Sequence, residues 1–267
     1  MLPQEKVIWA GQPVAAVVAK TIREAEEALS LIQVEYEELP AVLDPKEALQ
    51  PDAPLIHEHM ENYVISPAFH PKPGTNIANA FYLKKGNIKK AFEEADLIVE
   101  NEFTLPQVSH AYMEPMTVIA HYKADGHVEL WSSAQSPFTV RYLTSIAMGI
   151  PIHKIKVHSP YLGGGFGGKA GLNLEPLAIL LSKKAGCRPV KLSLSREENM
   201  TSAPVRTGLI GQIKTAVRKD GRILGEKIRY ILDAGANADY ACNVGRATGY
   251  AGIGPYDIEN VEVESLT

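Results

Sequence analysis

Cysteine is nearly missing: Cys187 and Cys242 are the two in 267 residues. Two are too few for a disulfide framework and form no zinc signature, so a reducing, cytoplasmic compartment is expected. Long apolar runs are missing as well. The longest, Val14 to Ala19, suits a buried strand and falls far short of a membrane span. Neither sign of charge dominates, since 27 Lys and Arg against 31 Asp and Glu leave a net charge of −4, which offers no nucleic-acid surface. Met1 to Glu5 lacks the basic and apolar regions of a signal peptide and falls only a few residues before an expected strand, as in a piece of a longer chain. Catalytic signatures are sparse too. Ser159 precedes a proline, none of the eight histidines has the context of a general base, and no internal repeat is visible.

What is present in excess is glycine at one place. Five of the six residues from Gly163 to Gly168 are glycine, with Phe166 among them and Lys169 after them. Such a string loses much conformational entropy on folding, so it implies that backbone must come close to something large, often an anion met by N–H groups. Lys154 to His158 alternates like a strand, and Leu174, Leu177, Ala178 and Leu181 recur at helical spacing, so the string reads as a strand-to-helix turn. Gly163, Gly165 and Gly168 satisfy G-x-G-x-x-G, and Gly163 to Lys169 satisfies most of a P-loop. The string alone chooses neither. Ala170 stands where a P-loop needs Ser or Thr for magnesium, and the acid a dinucleotide site expects falls late, at Glu197.

Along the chain, Lys6 to Ala10, Pro13 to Ala19 and Gln33 to Glu37 read as strands around a helix Ile22 to Leu31, started by a Thr21/Glu24 capping box. Prolines interrupt Leu39 to Asn79, an extended linker carrying His57, His59 and His70. A helix Ile88 to Glu94 capped by Asn87 follows, then a strand from Leu97 towards Leu105. Strands at Thr117 to Tyr122 and His127 to Ser132 lead to Gln135, which stands at a strand's end just before the helix Phe138 to Met148. Later strands are Pro189 to Leu194, Gly211 to Val217, Ile223 to Leu232 and Ile258 to Leu266, with a Gly- and Ala-rich stretch from Ala234 to Pro255. The fold class is α+β. Backbone donors, one glutamine and one arginine candidate, without strong acid–base machinery, suit a protein whose cofactor carries the reaction.

Motifs in four stretches, taken in order, resemble the large subunit of molybdenum hydroxylases, the family of xanthine dehydrogenase, aldehyde oxidase and aerobic carbon monoxide dehydrogenase. They lie in the stretches Lys6 to Leu43, Gly86 to Pro115, Trp131 to Lys169 and Asp233 to Val261, with Gly11-Gln12-Pro13-Val14-Ala15, His110-x-Tyr112-x-Glu114-Pro115 and Gly163 to Lys169 similar to the family's hallmarks. The resemblance implies a hammerhead α/β portion over 1–55, a linker over 56–109 and the first half of a molybdopterin-binding domain over 110–267. It implies a molybdenum–molybdopterin cofactor, in the plain or cytosine dinucleotide form, that hydroxylates a carbon centre of an aldehyde, purine or other N-heterocycle with oxygen from water. By the same resemblance Gln135, Gly164, Gly165, Phe166, Gly167 and Gly168 line the cofactor, and Gln135 and Phe166 stand near a metal that takes no direct protein ligand.

For substrate the resemblance points to Ala170, where purine-oxidising members carry an acid, and to Arg246, which suits a carboxylate or other anionic group. A salt bridge from Arg246 to Asp239 or Asp257 is the alternative. The catalytic glutamate of the family is expected beyond Thr267, so no catalytic residue lies within this chain and no turnover is expected from it alone. Implied partners are the remaining half of the large subunit, an iron–sulfur subunit and a flavin subunit carrying FAD, with a homo-oligomer compatible. Neither nucleic acid nor membrane is expected. A non-catalytic assembly module and a nucleotide-binding protein are the alternative readings.

Overall fold

The computed structural model describes residues 2, 3 and 5–267. In chain order its first elements are α1 (Ile22–Leu29), β1 (Ala80–Lys85), α2 (Ile88–Glu93), β2 (Leu97–Leu105), β3 (Thr117–Tyr122) and β4 (Val128–Ser132). They are followed by α3 (Pro137–Met148), β5 (Ile155–His158), α4 (Glu175–Lys184), β6 (Val190–Ser193) and α5 (Arg196–Ser202). The last are β7 (Gly208–Val217), β8 (Ile223–Asp233), α6 (Ala241–Ala251) and β9 (Asn260–Leu266). The chain forms two units, residues 1–38 with 109–206 and residues 39–108 with 207–267. The mixture of helices and sheets is that of an α+β protein.

The first unit is built on a four-stranded sheet in the order β5-β4-β3-β6. β3 and β4 form an antiparallel hairpin around Gly126 (φ 83°), a backbone angle that favours glycine. β4 then runs parallel to β5, joined through α3, and the antiparallel β6 follows α4. Val118 and Ala120 of β3 and Val128 and Leu130 of β4 alternate onto one face. There they pack with Val140 of α3 and Ala178 and Ile179 of α4 into a core at most 1% exposed. Two sequence features fix helix starts as expected. Pro137 stands in the first turn of α3, and the Thr21/Glu24 capping box is formed at α1.

The second unit carries a five-stranded sheet in the order β1-β9-β8-β7-β2, in which only β8 and β9 are parallel. Its core gathers Ile228, Tyr230, Leu232, Ile258, Val261 and Val263. Residues 80–105, inside the stretch expected as linker, supply both edge strands, β1 against β9 and β2 against β7.

One expectation needs correction. The alternating segments 6–10, 13–19 and 33–37 join no ladder among the described residues, so the β-β-α-β layer is not formed. Alternation describes side-chain faces, whereas a strand also needs a partner's N–H and C=O groups. Conversely, the Gly- and Ala-rich stretch contains a helix, α6, that propensity alone disfavours. Its glycines are contact points: a Cβ on Gly249 would collide with the Phe81 ring and one on Gly245 with the Thr267 hydroxyl. Gly→Ala inside a helix ordinarily stabilises by about 1 kcal/mol. At Gly249 the sign should reverse, with a loss of about 1–3 kcal/mol from overpacking, read from chemical denaturation.

Candidate functional site

β5 delivers the chain into the glycine loop, and α4 takes it out again. Against the loop lies the segment 110–114, whose alternation puts His110, Tyr112 and Glu114 on one side, facing the glycines. A Cβ on Gly163 would lie 2.5 Å from the Glu114 side chain, and one on Gly164 3.2 Å from that of Tyr112. One on Gly168 would lie 2.7 Å from Nδ1 of His110 and 3.0 Å from the Tyr112 ring. Gly165 meets Gln135 instead, at 2.5 Å. The glycines are thus needed by the protein's own side chains, a need that the sequence pattern alone had assigned to a ligand.

Glu114 grips both ends of the loop. Its Oε2 accepts from the Gly163 amide (2.9 Å) and from Nζ of Lys169 (2.8 Å), and its carbonyl accepts from the same Nζ at 2.7 Å. The Glu114 amide donates back to the Gly163 carbonyl at 3.2 Å. Arg196 steadies this segment from behind, donating to the carbonyls of Tyr112 (2.9 Å) and Met113 (2.6 Å). His110 donates through Nδ1 to the Pro204 carbonyl at 3.3 Å, which fixes its tautomer, since a carbonyl only accepts. Lys169, which a P-loop would aim at phosphate, is 1% exposed and turned inward to Glu114. That geometry is incompatible with the phosphate-binding role a P-loop gives its lysine.

Burial pushes the Glu114 carboxyl up, but the Lys169 ammonium and the Gly163 amide outweigh it, so its value lies below the ordinary glutamate range. A carboxyl with a depressed folded-state value adds stability that is complete above its unfolded value, near pH ~4.3, and is lost as pH falls through the lower folded value. Stability measured between pH 7 and pH 3 should therefore fall more steeply in the wild type than in Glu114→Gln, with the extra slope confined below about pH 4.

Gln135 follows β4, and its carboxamide oxygen accepts from the amides of Gly167 (2.9 Å) and Lys169 (3.1 Å). Its own backbone amide donates to the Lys169 carbonyl at 2.9 Å. Two N–H donors on one atom identify that atom as Oε1, so the other end of this exposed side chain, Nε2, is a donor without a partner among the described residues. Within the loop the Gly168 amide turns back to the Gly165 carbonyl (2.8 Å) and the Ala170 amide to that of Gly167 (3.2 Å). The amides of Gly164, Gly165 and Phe166 have no acceptor among the described residues. Positive φ at Gly164 (94°) and Phe166 (51°), with Gly165 between them, is the change of sign that turns successive amides to one side. Phe166 is a bulky residue in the left-handed region and 73% exposed, a strained, uncovered aromatic at the loop's tip.

Arg246 lies in the second unit, on α6. Its Nη2 donates to the Asn243 side chain at 3.3 Å, and its buried Nε has no hydrogen-bond partner among the described residues. Among the described residues no three His, Cys, Asp or Glu side chains group as a metal site, and no helix is long and apolar enough to cross a membrane. The site residues that sequence reasoning left without a role are His110, Tyr112, Glu114 and Lys169. Their signal was the spacing of two from 110 to 114, matched to the glycines opposite.

Residues 69–267 match the molybdopterin cofactor-binding domain family, and residues 1–40 match the a/b hammerhead domain of aldehyde oxidase and xanthine dehydrogenase. The chain is 32% identical, over 90% of its length, to the xanthine dehydrogenase molybdenum-binding subunit of Escherichia coli, of which it covers 30%. It is 31% identical, over 99% of its length, to the nicotinate dehydrogenase large molybdopterin subunit of Eubacterium barkeri, of which it covers 58%. Among solved structures, quinoline 2-oxidoreductase from Pseudomonas putida 86 matches 93% of the chain at 31% identity and a TM-score of 0.75, with 30% of that protein covered. The chain thus spans between 30% and 58% of the length of these relatives. With a matched family model over most of its length and a glycine loop of this construction, the chain belongs to the molybdopterin cofactor-binding domain family.

Proposed function

We propose that the chain forms one wall of the cofactor pocket in a molybdenum-dependent oxidoreductase, with Gln135, Gly164, Gly165, Phe166, Gly167 and Gly168 as its residues. The observation that carries this reading is the set of donors unpartnered among the described residues: Nε2 of Gln135 and the amides of Gly164, Gly165 and Phe166. A wall offering N–H donors and an aromatic face, with no side-chain metal ligands, fits an anionic group that brings its own sulfur ligands. When bound, molybdopterin in its plain or cytosine dinucleotide form supplies the redox chemistry that hydroxylates a carbon centre with oxygen from water.

This chain's part is to hold and to shield. Gln135 donates through Nε2 to an acceptor on the bound group, and its locked oxygen keeps the carboxamide from flipping. Gly167 and Gly168 contribute shape more than donors, because their amides are engaged inside the chain. Phe166 covers the pocket and excludes water, which is the use of an exposed aromatic held under backbone strain. Arg246, with its Nε unpartnered among the described residues, suits an anionic group on the substrate, and Ala170 leaves its own position uncharged. The hammerhead, linker and pterin-binding portions at 1–55, 56–109 and 110–267, the iron–sulfur and FAD subunits, and the general base on a further part of the large subunit complete this proposal.

The test is to express the chain with its neighbouring reading frames and measure molybdenum and pterin in the purified complex. Both should be present, and Gln135→Leu should lower pterin occupancy about tenfold, the worth of one hydrogen bond to a charged group. Absence of both metal and pterin from the complex would leave the assembly-module reading in its place.

A further inference from the structure

We propose that Lys169 is a positioning residue for Gln135: its buried ammonium, acting through Glu114, holds the glycine loop in the arrangement that turns the amide end of Gln135 outward. This rests on the function proposed above only for what that amide faces.

A lysine three residues from an exposed loop tip would ordinarily keep its ammonium in water. Here the side chain is 1% exposed, and its Nζ is held by two oxygens of Glu114 and lies 4.5 Å from the centre of the Tyr112 ring. Burying a charge is costly unless every donor finds a partner, so this inward position is a constraint on the whole loop. Glu114 also holds Gly163, accepting from its amide and donating to its carbonyl, so the first and last residues of the loop are tied to one residue. The backbone of Lys169 is in turn bonded both ways to Gln135, its N–H donating to Oε1 and its C=O accepting from the Gln135 backbone amide. The side chain of Lys169 therefore anchors the peptide unit that fixes the Gln135 carboxamide. Removing the ammonium releases the loop's last residue, and with it the pair of donors that keeps Oε1 inward.

The alternative is that the ion pair supports the first unit in general. Amide hydrogen exchange on the full chain separates the two and needs no cofactor. Lys169→Met should lower protection at the Gly167 amide about 10- to 100-fold, the loss of a charge-assisted hydrogen bond, while protection at Ile119 and Trp131, which face each other in the β3–β4 ladder, stays unchanged. The side-chain NH₂ signals of Gln135 should move towards those of a free glutamine in the same variant. Glu114→Gln removes the charge but keeps one side-chain acceptor oxygen and the backbone carbonyl, so protection at Gly167 should fall by less, again with the ladder unaffected. If Lys169→Met does not fold, Glu114→Gln decides alone, through a fall at Gly167 that exceeds any fall in the ladder. Unchanged protection at Gly167, or an equal fall across the ladder, overturns the proposal. Molybdenum and pterin content is a separate measurement, so a failure of cofactor binding and a failure of positioning are told apart.

Discussion

Gly165→Ala is expected to strip the complex of its pterin while leaving both sheets folded. Gly165 is buried, and its added Cβ would stand 2.5 Å from Oε1 and 2.6 Å from the carboxamide carbon of Gln135. Its φ is not positive, so alanine suits the backbone and the effect is purely one of collision. Either Gln135 or the loop must move, which frees the amides of Gly167 and Lys169 at about 1 kcal/mol each and adds about 1–3 kcal/mol of overpacking. Cofactor content per chain should fall more than about tenfold, with far-ultraviolet circular dichroism unchanged. Full pterin occupancy in this variant would show that the Gln135 contact does not shape the pocket.

Leu130→Ala should produce the largest loss of stability, about 2–5 kcal/mol, because Leu130 is wholly buried between the sheet and helices α3 and α4. Its strand, β4, leads directly to Gln135, so loosening this core also loosens the delivery of the carboxamide. Both tryptophans, Trp9 and Trp131, fall in the first unit, which makes tryptophan fluorescence a selective reporter of its unfolding. The midpoint seen by fluorescence in urea should drop. A shift below about 1 kcal/mol would mean that the core refills the cavity by collapsing around it.

Local signals in the sequence carried a long way where the determining interaction is itself local. The Thr21/Glu24 capping box, Asn87 before α2 and Pro137 in α3 each satisfy helix ends within a few residues, and each is formed. The β3–β4 hairpin is fixed the same way. The alternating segments at 6–10, 13–19 and 33–37 show the limit, since a ladder needs a second strand and none pairs with them among the described residues. β1 and α6 were missed for the converse reason. β1 is defined by β9, far along the chain, and α6 tolerates its glycines because Phe81 and Thr267 press against them.

For the site, residue types and order pointed to the glycine loop and to Gln135, the resemblance added Arg246, and that resemblance matches the family to which the chain belongs. Tertiary structure decided which atoms remain available. Only in three dimensions does Glu114 reach Gly163 and Lys169 at once, or Gln135 Oε1 take up the amides of Gly167 and Lys169. Hydrogen-bond capacity at a residue is written in its side chain and peptide group. Which part of it is left for a ligand depends on neighbours brought together from positions 114, 135 and 163–169, and a linear pattern does not contain those distances.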